Sequence, residues 1–229
     1  TQAGLIQAAD GGFVVLSAAQ VSNSGLIRAR LGDVLLASGS HMTLSLDEAG
    51  LVNYVIDGAI QSDNAAVNNL GEIIADGGQV VLSAQVAREL TGVAVNHSGR
   101  ISARSIEEQE GSIVLSAEGG DLVASGELDV SAAAQGPAGS IRASTSHDLT
   151  LGDTTARQIF LNAGGAVNTG SLSVSNLSGE AAIRIQSGGK ITVEGAVSAT
   201  SRIDAFNVGA DERFVLGAAL VEMIAASGG

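Results

Sequence analysis

The sequence predicts an all-β protein, a right-handed parallel β-helix, and three observations support this prediction. One phrase repeats almost unchanged, 31 of the 229 residues are Gly, and large aromatic side chains are scarce, with no Trp, one Tyr and 4 Phe. Gly at about twice its usual share suits tight corners, because it adopts backbone angles that other residues avoid. A core with few rings must be built from Val, Ile, Leu and Ala in thin layers, and stacked repeats provide such layers.

The repeated phrase is the strongest of these observations. Residues 9–18 read Ala-Asp-Gly-Gly-Phe-Val-Val-Leu-Ser-Ala and recur at 75–84, where nine of the ten positions are identical. The one difference is Gln79 in place of Phe13. Near-identity over such a length indicates one structural unit that the chain uses twice.

The distance between related strands gives the length of one repeat. Val14 begins a run rich in Val and Leu, Val34 begins the next, and the step between them is 20 residues. Two strands with their turns fill such a step, and short strands at this period are typical of a β-solenoid. We therefore expect one body over 1–229 with roughly eight to ten coils, a right-handed turn and more generic repeats from about residue 133.

Two stretches break the period, and we expect both to leave the coil. Residues 41–69 alternate apolar and polar residues around a Gly-bearing turn at 47–50, which predicts a β-hairpin insert. Residues 85–96 begin with a run rich in Ala, Glu and Arg, which favours a short helical insert. Insertions of this kind often form the binding face of a solenoid.

Charge and composition exclude several classes of partner. The net charge of -13, from 24 acidic and 11 basic residues, repels nucleic-acid phosphates and anionic membrane surfaces. The chain has no cysteine, which removes disulfides, thiolate catalysis and Cys-based metal sites. No apolar run reaches the roughly 18 to 20 residues of a membrane helix, so we expect neither nucleic-acid binding nor membrane insertion. Because the chain begins at Thr1 without a signal peptide, we expect it to be a segment of a longer protein.

Catalytic and metal sites find little support in the sequence. The three histidines lie 56 and 50 residues apart, and the chain has no Gly-x-Ser-x-Gly elbow. Two acidic groups could serve a polysaccharide lyase or hydrolase, since such enzymes use clustered carboxylates. These groups are Asp47, Glu48, Asp57 and Asp63, and Glu107, Glu108 and Glu110. We predict no cofactor; acidic turns would favour Ca²⁺ among metals, although the Gly-Gly-x-Gly-x-Asp repeat is missing.

Several phrases resemble those of one protein family. They are Gly-Glu-Ile-Ile-Ala-Asp-Gly-Gly-Gln-Val-Val-Leu-Ser-Ala at 71–84, Gly-Asp-Val-Leu-Leu-Ala-Ser-Gly at 32–39, Gly-Leu-Val-Asn-Tyr-Val-Ile-Asp at 50–57 and Asn-His-Ser-Gly at 96–99. In this pattern, which is dense over 1–132, the chain resembles the filamentous haemagglutinin-like exoproteins of bacterial two-partner secretion. Those proteins are large secreted adhesins. The Asn-Pro-Asn-Gly secretion motif of the family is missing, since Pro137 is the only proline.

The resemblance implies a bacterial protein that is secreted or held at the cell surface. It also implies a partner for the full-length chain, an outer-membrane two-partner secretion transporter. We therefore expect a structural and adhesive segment, not an enzyme, that contacts biofilm exopolysaccharide or a cell-surface glycan. A carbohydrate-active β-helix enzyme and a passive spacer of a surface fibre stay open as alternatives.

Two sets of residues are candidate glycan contacts. The hairpin insert supplies the first set, which is Asp47, Glu48, Asn53, Tyr54 and Asp57. The second set is an arginine ladder suited to carboxylated or sulfated glycans, made of Arg28, Arg30, Arg100, Arg104, Arg142 and Arg184. Such a ladder requires that several arginines share one position in the stack. The favoured alternative, in a chain with this net charge, is that they pair with Asp and Glu on the same rod.

Overall fold

The structure is a computed structural model, and it confirms an all-β protein. It describes residues 1–46, 52–61, 64–87, 92–106, 109–132, 138–174, 181–199, 202–207, 214–216 and 221–223. Regular structure in this part of the chain consists of strands, most of them three to seven residues long.

The strands follow one another closely along the chain. The first nine are β1 (Leu5–Gln7), β2 (Val14–Ala18), β3 (Val21–Asn23), β4 (Leu26–Arg28), β5 (Val34–Ser38), β6 (His41–Leu46), β7 (Val52–Asp57), β8 (Val67–Asn69) and β9 (Glu72–Ile74). The next nine are β10 (Gln79–Gln85), β11 (Val93–His97), β12 (Arg100–Ser102), β13 (Ser112–Glu118), β14 (Asp121–Ala124), β15 (Glu127–Asp129), β16 (Ser140–Thr145), β17 (Leu149–Leu151) and β18 (Thr154–Ala156). The last nine are β19 (Gln158–Ala163), β20 (Val167–Thr169), β21 (Leu172–Val174), β22 (Ala181–Ser187), β23 (Ile191–Val193), β24 (Val197–Ala199), β25 (Arg202–Asn207), β26 (Phe214–Leu216) and β27 (Val221–Met223).

Twenty-five of these strands form three long parallel sheets. The first sheet has nine strands in the order β1-β4-β9-β12-β15-β18-β21-β24-β27, the second has eight in the order β2-β5-β10-β13-β16-β19-β22-β25, and the third has eight in the order β3-β8-β11-β14-β17-β20-β23-β26. Within the described residues the chain passes through the three sheets in constant order eight times, and β27 begins a ninth pass. This arrangement confirms the parallel β-helix, whereas its right-handed sense stays a prediction. Each pass has three strands, not the two that the repeat length suggested, because several strands are only three residues long.

Register between the strands follows the sequence repeats. Val14 pairs with Val34, which confirms the step of 20 residues, and Val34 pairs with Val80 of the second copy of the repeated phrase. The stretch beyond residue 133, where the repeats are least similar, stacks just as regularly, with Ile141 beside Ile159. At these core positions, aliphatic residues thus lie above one another in both parts of the chain.

One aliphatic core runs along the inside of the three sheets. Alternate side chains of each strand point inward. Ile27 of the first sheet, Leu36 of the second and Val67 of the third are fully buried members of the same cluster. The composition that suggested thin aliphatic layers is therefore explained by the packing.

Glycine is sterically required at one corner of the rod. Gly25, Gly71, Gly99 and Gly126 lie above one another between the third and first sheets, and a Cβ on any of the last three would collide with the carbonyl oxygen of the Gly below. The spacing of stacked strands leaves no room for a side chain there.

The predicted hairpin insert is confirmed, because β6 and β7 pair antiparallel and belong to none of the three sheets. The hairpin lies against the outer face of the second sheet. Its side chains Met42, Tyr54 and Ile56 pack with Leu35, Ala37 and Val81 of that sheet in a second small apolar cluster. The excursion is shorter than predicted, because the chain has already returned to the third sheet at β8.

The predicted helical insert is wrong for the residues that the structure describes. Strand β10 continues to Gln85, Val86 forms a parallel bridge with Ile60, and β11 is already part of the third sheet. An extended backbone buries the Val86 side chain and gives its amide a partner, which a helical turn at this place would not do. Residues 88–91 lie outside the described part of the chain.

Candidate functional site

The outer face of the second sheet changes character along the rod. Because its strands are in register, outward side chains form two continuous rows. The mixed row consists of Val15, Leu35, Val81, Val114, Arg142, Phe160 and Arg184. The polar row consists of Ser17, Ala37, Ser83, Ser116, Ser144, Asn162 and Gln186.

The hairpin covers both rows at β5 and β10. Leu35 and Val81 are each only 4% exposed although they face away from the core. The hydroxyl groups of Tyr54 and Ser83 form a hydrogen bond beneath the hairpin, and burial raises the pKa of Tyr54. The hairpin is therefore a packed cover and not a free arm.

Beyond the hairpin, the polar row lines an open groove. The groove has a volume of about 630 Å³, and its walls include Ser116, Ser144, Asn162 and Gln186 together with Glu118. Asn162 and Gln186 are exposed, and the two serines are half-buried. Hydroxyl and amide groups therefore face solvent on four consecutive strands.

A basic and aromatic strip runs beside the open groove in the mixed row. The guanidinium carbon of Arg142 lies 4.5 Å from the centre of the Phe160 ring, which is a cation–π contact. Arg184 occupies the same row on the next strand, is exposed, and is aligned with Asp204 of β25. The strip can present guanidinium groups to carboxylates, which they bind through paired hydrogen bonds.

The hairpin candidates do not form one described cluster. Asp47 and Glu48 lie outside the described residues. Asn53 lies in β7 opposite Ser45, while Tyr54 packs down on the second sheet. Asp57 is exposed at the base of the hairpin, three residues from Tyr54 and therefore on the other face of the strand.

The six predicted arginines do not form one ladder. Arg28 is aligned with Ile74 in the first sheet, whereas Arg100 is aligned with Glu72 at the opposite end of the same strand. Arg142 and Arg184 share the mixed row of the second sheet with Phe160 between them. The predicted pairing with acids holds for Arg100, which lies 3.3 Å from carboxylate oxygens of Glu72 and of Glu127 on the flanking strands.

Arg30 and Arg104 have the same structural role in two copies of the repeat. The Asp of each Ala-Asp-Gly-Gly phrase pairs with the Arg that follows the next strand of the first sheet. Arg30 Nη1 lies 2.6 Å from Asp10 Oδ2 at an exposed position, and Arg104 Nε lies 3.1 Å from Asp76 Oδ2 at a largely buried one. Burial raises the pKa of Asp76, but hydrogen bonds from Arg104 and Ser102 outweigh it, so that the pKa is lowered. These pairs fasten successive passes of the chain to each other.

His97 is an interior residue, a role that the sequence did not reveal. It continues a buried ladder in which Asn23 donates to Asn69 and Asn69 Nδ2 lies 3.0 Å from His97 Nδ1. Since that nitrogen accepts, Nε2 carries the proton and donates to the carbonyl oxygen of Glu127 at 3.1 Å. Burial lowers the pKa of His97 and thereby favours the neutral ring. The register places His97, and not the neighbouring Asn96, in line with Asn23 and Asn69.

The remaining candidates for chemistry are dispersed. Glu107, Glu108 and Asp63 lie outside the described residues, and Glu110 forms an ion pair with Arg157. In the described ranges, no three His, Asp or Glu side chains are grouped closely enough to hold a metal ion. The same ranges contain no helix that is long and apolar enough to cross a bilayer.

Comparison with known proteins adds no relative from which a function could be transferred. No protein-family model matches the chain. No curated protein matches it significantly. Function therefore has to be inferred from the fold and from the open groove.

Proposed function

We propose that this chain is a structural and adhesive segment of a secreted bacterial surface protein, and that it binds a glycan chain along the open groove of the second sheet. The observation that carries the proposal is the run of solvent-facing hydroxyl and amide groups on four consecutive strands. The ligand is an exopolysaccharide of a biofilm matrix or a glycan on another cell.

The geometry of the groove suits a polymer that lies along the rod. Neighbouring strands are about 4.8 Å apart, so that Ser144, Asn162 and Gln186 each offer a polar group at regular intervals. A sugar chain carries hydroxyl groups at a comparable spacing and needs many hydrogen bonds, some of them through water. A shallow and wet groove of this kind meets that need.

The strip beside the groove favours acidic sugars. Arg142 and Arg184 place two guanidinium groups on one side of the groove in a chain whose net charge is -13. Uronic acid carboxylates would bind them bidentately. A polyanion is otherwise repelled by the rod, and these two arginines therefore determine where it binds.

In the part of the chain that the structure describes, the open groove has too few carboxylates for the usual glycosidase mechanism, which favours binding over catalysis. Glycoside hydrolysis usually needs two carboxylates on either side of the scissile bond. Among the described residues that line the groove, Glu118 is the single carboxylate. The polysaccharide lyase or hydrolase and the passive spacer are therefore the alternatives that an experiment has to separate.

The proposed export route rests on the phrases that resemble two-partner secretion exoproteins. A chain without cysteine cannot form a disulfide that would hinder passage through an outer-membrane transporter in the unfolded state. Repetition instead of cross-linking then stabilises the folded rod outside the cell.

The test measures binding of the protein to alginate, a uronic acid polymer, together with a glycan array. Binding should be lost in the Asn162→Ala/Gln186→Ala double variant and weakened by Arg184→Gln. Two controls should bind like the unmodified protein: Asp57→Asn on the hairpin and Arg30→Gln, whose arginine pairs with Asp10.

Other outcomes identify the competing functions. Loss of binding in Asp57→Asn with retention in the groove variants would transfer the site to the hairpin. Release of reducing ends or of unsaturated uronates from the polymer would establish an enzyme. A protein that binds no glycan on the array would be a spacer.

A further inference from the structure

A second groove lies at the corner between the first and second sheets, near the N-terminal end of the rod. It has a volume of about 470 Å³, and four successive passes of the chain contribute to it. We call it the corner groove, and its main side chains are Phe13, Leu31, Asp33, Gln79, Gln109 and Glu110. None of these residues belongs to the open groove.

Phe13 departs from the repeat in this groove. It precedes Val14 as Gln79 precedes Val80, and those two valines occupy the same row of the second sheet. This position is the one difference between the two copies of the phrase. The first copy has the aromatic residue Phe13 there, and this residue is 42% exposed. A polar residue would serve the fold equally well, as the second copy demonstrates.

Leu31 departs from the repeat in the same groove. It has a positive φ of 56°, whereas the corresponding corners in the preceding and following passes use Gly11 and Gly77 with φ of 75° and 79°. A non-glycine residue is strained in this conformation. The Leu31 side chain lies against Gly77, where an added Cβ would be 2.7 Å from its Cδ2 atom. Leu31 therefore places an apolar surface in the groove at a cost in backbone strain that Gly would avoid.

Polar groups surround this apolar floor in fixed positions. Asp33 Oδ1 accepts the backbone N–H of Gln79 at 2.9 Å, and Gln79 Nε2 donates to Ser112 Oγ at 3.0 Å. The Gln109 amide lies over Gly77, and Glu110 lies on the rim in an ion pair with Arg157. Carboxylate and amide side chains thus line the same groove as the exposed Phe13.

We propose that the corner groove binds an uncharged sugar ring, whose apolar face stacks on Phe13 and Leu31. Its hydroxyl groups hydrogen-bond to the side chains of Gln79, Gln109 and Asp33. An aromatic floor with amides and carboxylates at its edge matches the two faces of a hexose, one made of C–H groups and the other of hydroxyls. The carboxylate of Asp33 repels an acidic sugar, in contrast to the strip of Arg142 and Arg184 beside the open groove.

The test uses variants that the chain itself supplies. Phe13→Gln introduces the residue of the second copy, and Leu31→Gly introduces the residue of the neighbouring corners, so that both should fold. The probes are uncharged pentasaccharides of glucose, galactose and mannose, and their dissociation constants are measured by calorimetry. At least one probe should bind the unmodified protein, with Kd raised about tenfold or more in Phe13→Gln because the stacking surface is lost.

Two controls make the result specific. Phe13→Trp keeps a stacking surface and should retain binding, and Phe160→Gln changes the ring of the other groove and should leave the pentasaccharide Kd unchanged. The proposal is overturned if no probe binds the unmodified protein, or if Phe13→Gln and Leu31→Gly bind as tightly as it does. Loss of alginate binding in the open-groove variants does not affect this outcome, so that the two sites are tested independently.

Discussion

The two halves of the rod carry different side chains at equivalent positions. On the outer face of the second sheet, the N-terminal half places Leu35 and Val81 in the mixed row, and the C-terminal half places Arg142 and Arg184 there. The backbone is the same at all four positions. The difference is that the hairpin covers the first pair and leaves the second pair in solvent.

The interior of the third sheet also differs between the two halves. The inward position that Asn69 and His97 occupy in the N-terminal half is occupied further along the rod by Ala124, Leu151, Thr169 and Val193. The polar side chains are tolerated because each hydrogen-bonds to the next along the ladder. Asn69 and His97 are thus buried with partners, whereas the hydroxyl of Thr169 in the same row is buried without a hydrogen-bond partner among the described residues.

Exchange of residues between the two halves should give the largest change in the free energy of unfolding. Val81→Arg places a charge beneath the hairpin and should lower the free energy of unfolding by roughly 2 to 5 kcal/mol, because a buried charge without a partner is costly. The reciprocal change Arg142→Val should cost less than about 1 kcal/mol, since it removes one exposed cation–π contact. Denaturant unfolding measures both. Equal effects of the two variants would mean that the hairpin does not seal the sheet in solution.

Acid should destabilise the protein through His97, which belongs to the buried ladder of the N-terminal half. The folded-state pKa of His97 lies below the ordinary value of 6.5 because of burial. As the pH falls through 6.5, the unfolded chain gains a proton that the folded chain does not, so the free energy of unfolding decreases. Denaturant unfolding between pH 7.5 and about 5 should show this decrease.

Two histidine variants test whether His97 causes this loss of stability in acid. His97→Asn continues the Asn ladder without a titrating ring, so the decrease in the free energy of unfolding between pH 7.5 and about 5 should become smaller. His147→Asn, at a half-buried turn position, is the matched control and should keep it. An unchanged pH dependence in His97→Asn would contradict the interior placement of His97. Asp76, whose pKa is also lowered, loses its stabilising effect only at more acid pH, as the pH falls below its ordinary 3.8.

Removal of the Tyr54 hydroxyl should lower the free energy of unfolding less than a charge beneath the hairpin does. Tyr54→Phe leaves the hairpin in place but removes its hydrogen bond to Ser83, and should cost about 1 kcal/mol at neutral pH. Because the folded-state pKa of Tyr54 is raised, its stabilising contribution is complete below the ordinary value of 10.0 and is lost as the pH rises above it. The stability difference between the two proteins should therefore shrink in alkali. A constant difference would indicate that Tyr54 is not buried under the hairpin.

Local and repeated information in the sequence determined the fold. The runs at Val14 and Val34 predicted a repeat of 20 residues, and Val14 does pair with Val34. The near-identical phrases predicted one structural unit used twice, and Val14 and Val80 do lie in the same row, because identical segments of a solenoid form similar layers. The hairpin at 41–57 was equally visible, since alternation around a Gly-bearing turn is a local signal. The glycine content predicted tight corners and the aliphatic composition predicted thin core layers, and neither prediction required knowledge of which residues lie beside each other in the fold.

Only the tertiary structure decided which outward side chains are exposed to solvent and which are covered by another segment. Tyr54 reads as a polar contact in the sequence, yet it packs on Leu35 and Val81, which belong to the strands of the second sheet before and after the hairpin. The arginines read as one set, but Arg104 faces a buried carboxylate while Arg142 faces a ring, because register assigns each a different neighbour. The open groove and the corner groove each combine residues from four passes of the chain, and no local pattern encodes such a surface. Long-range packing creates it, since the free energy of each outward side chain depends on whether another segment excludes water from it.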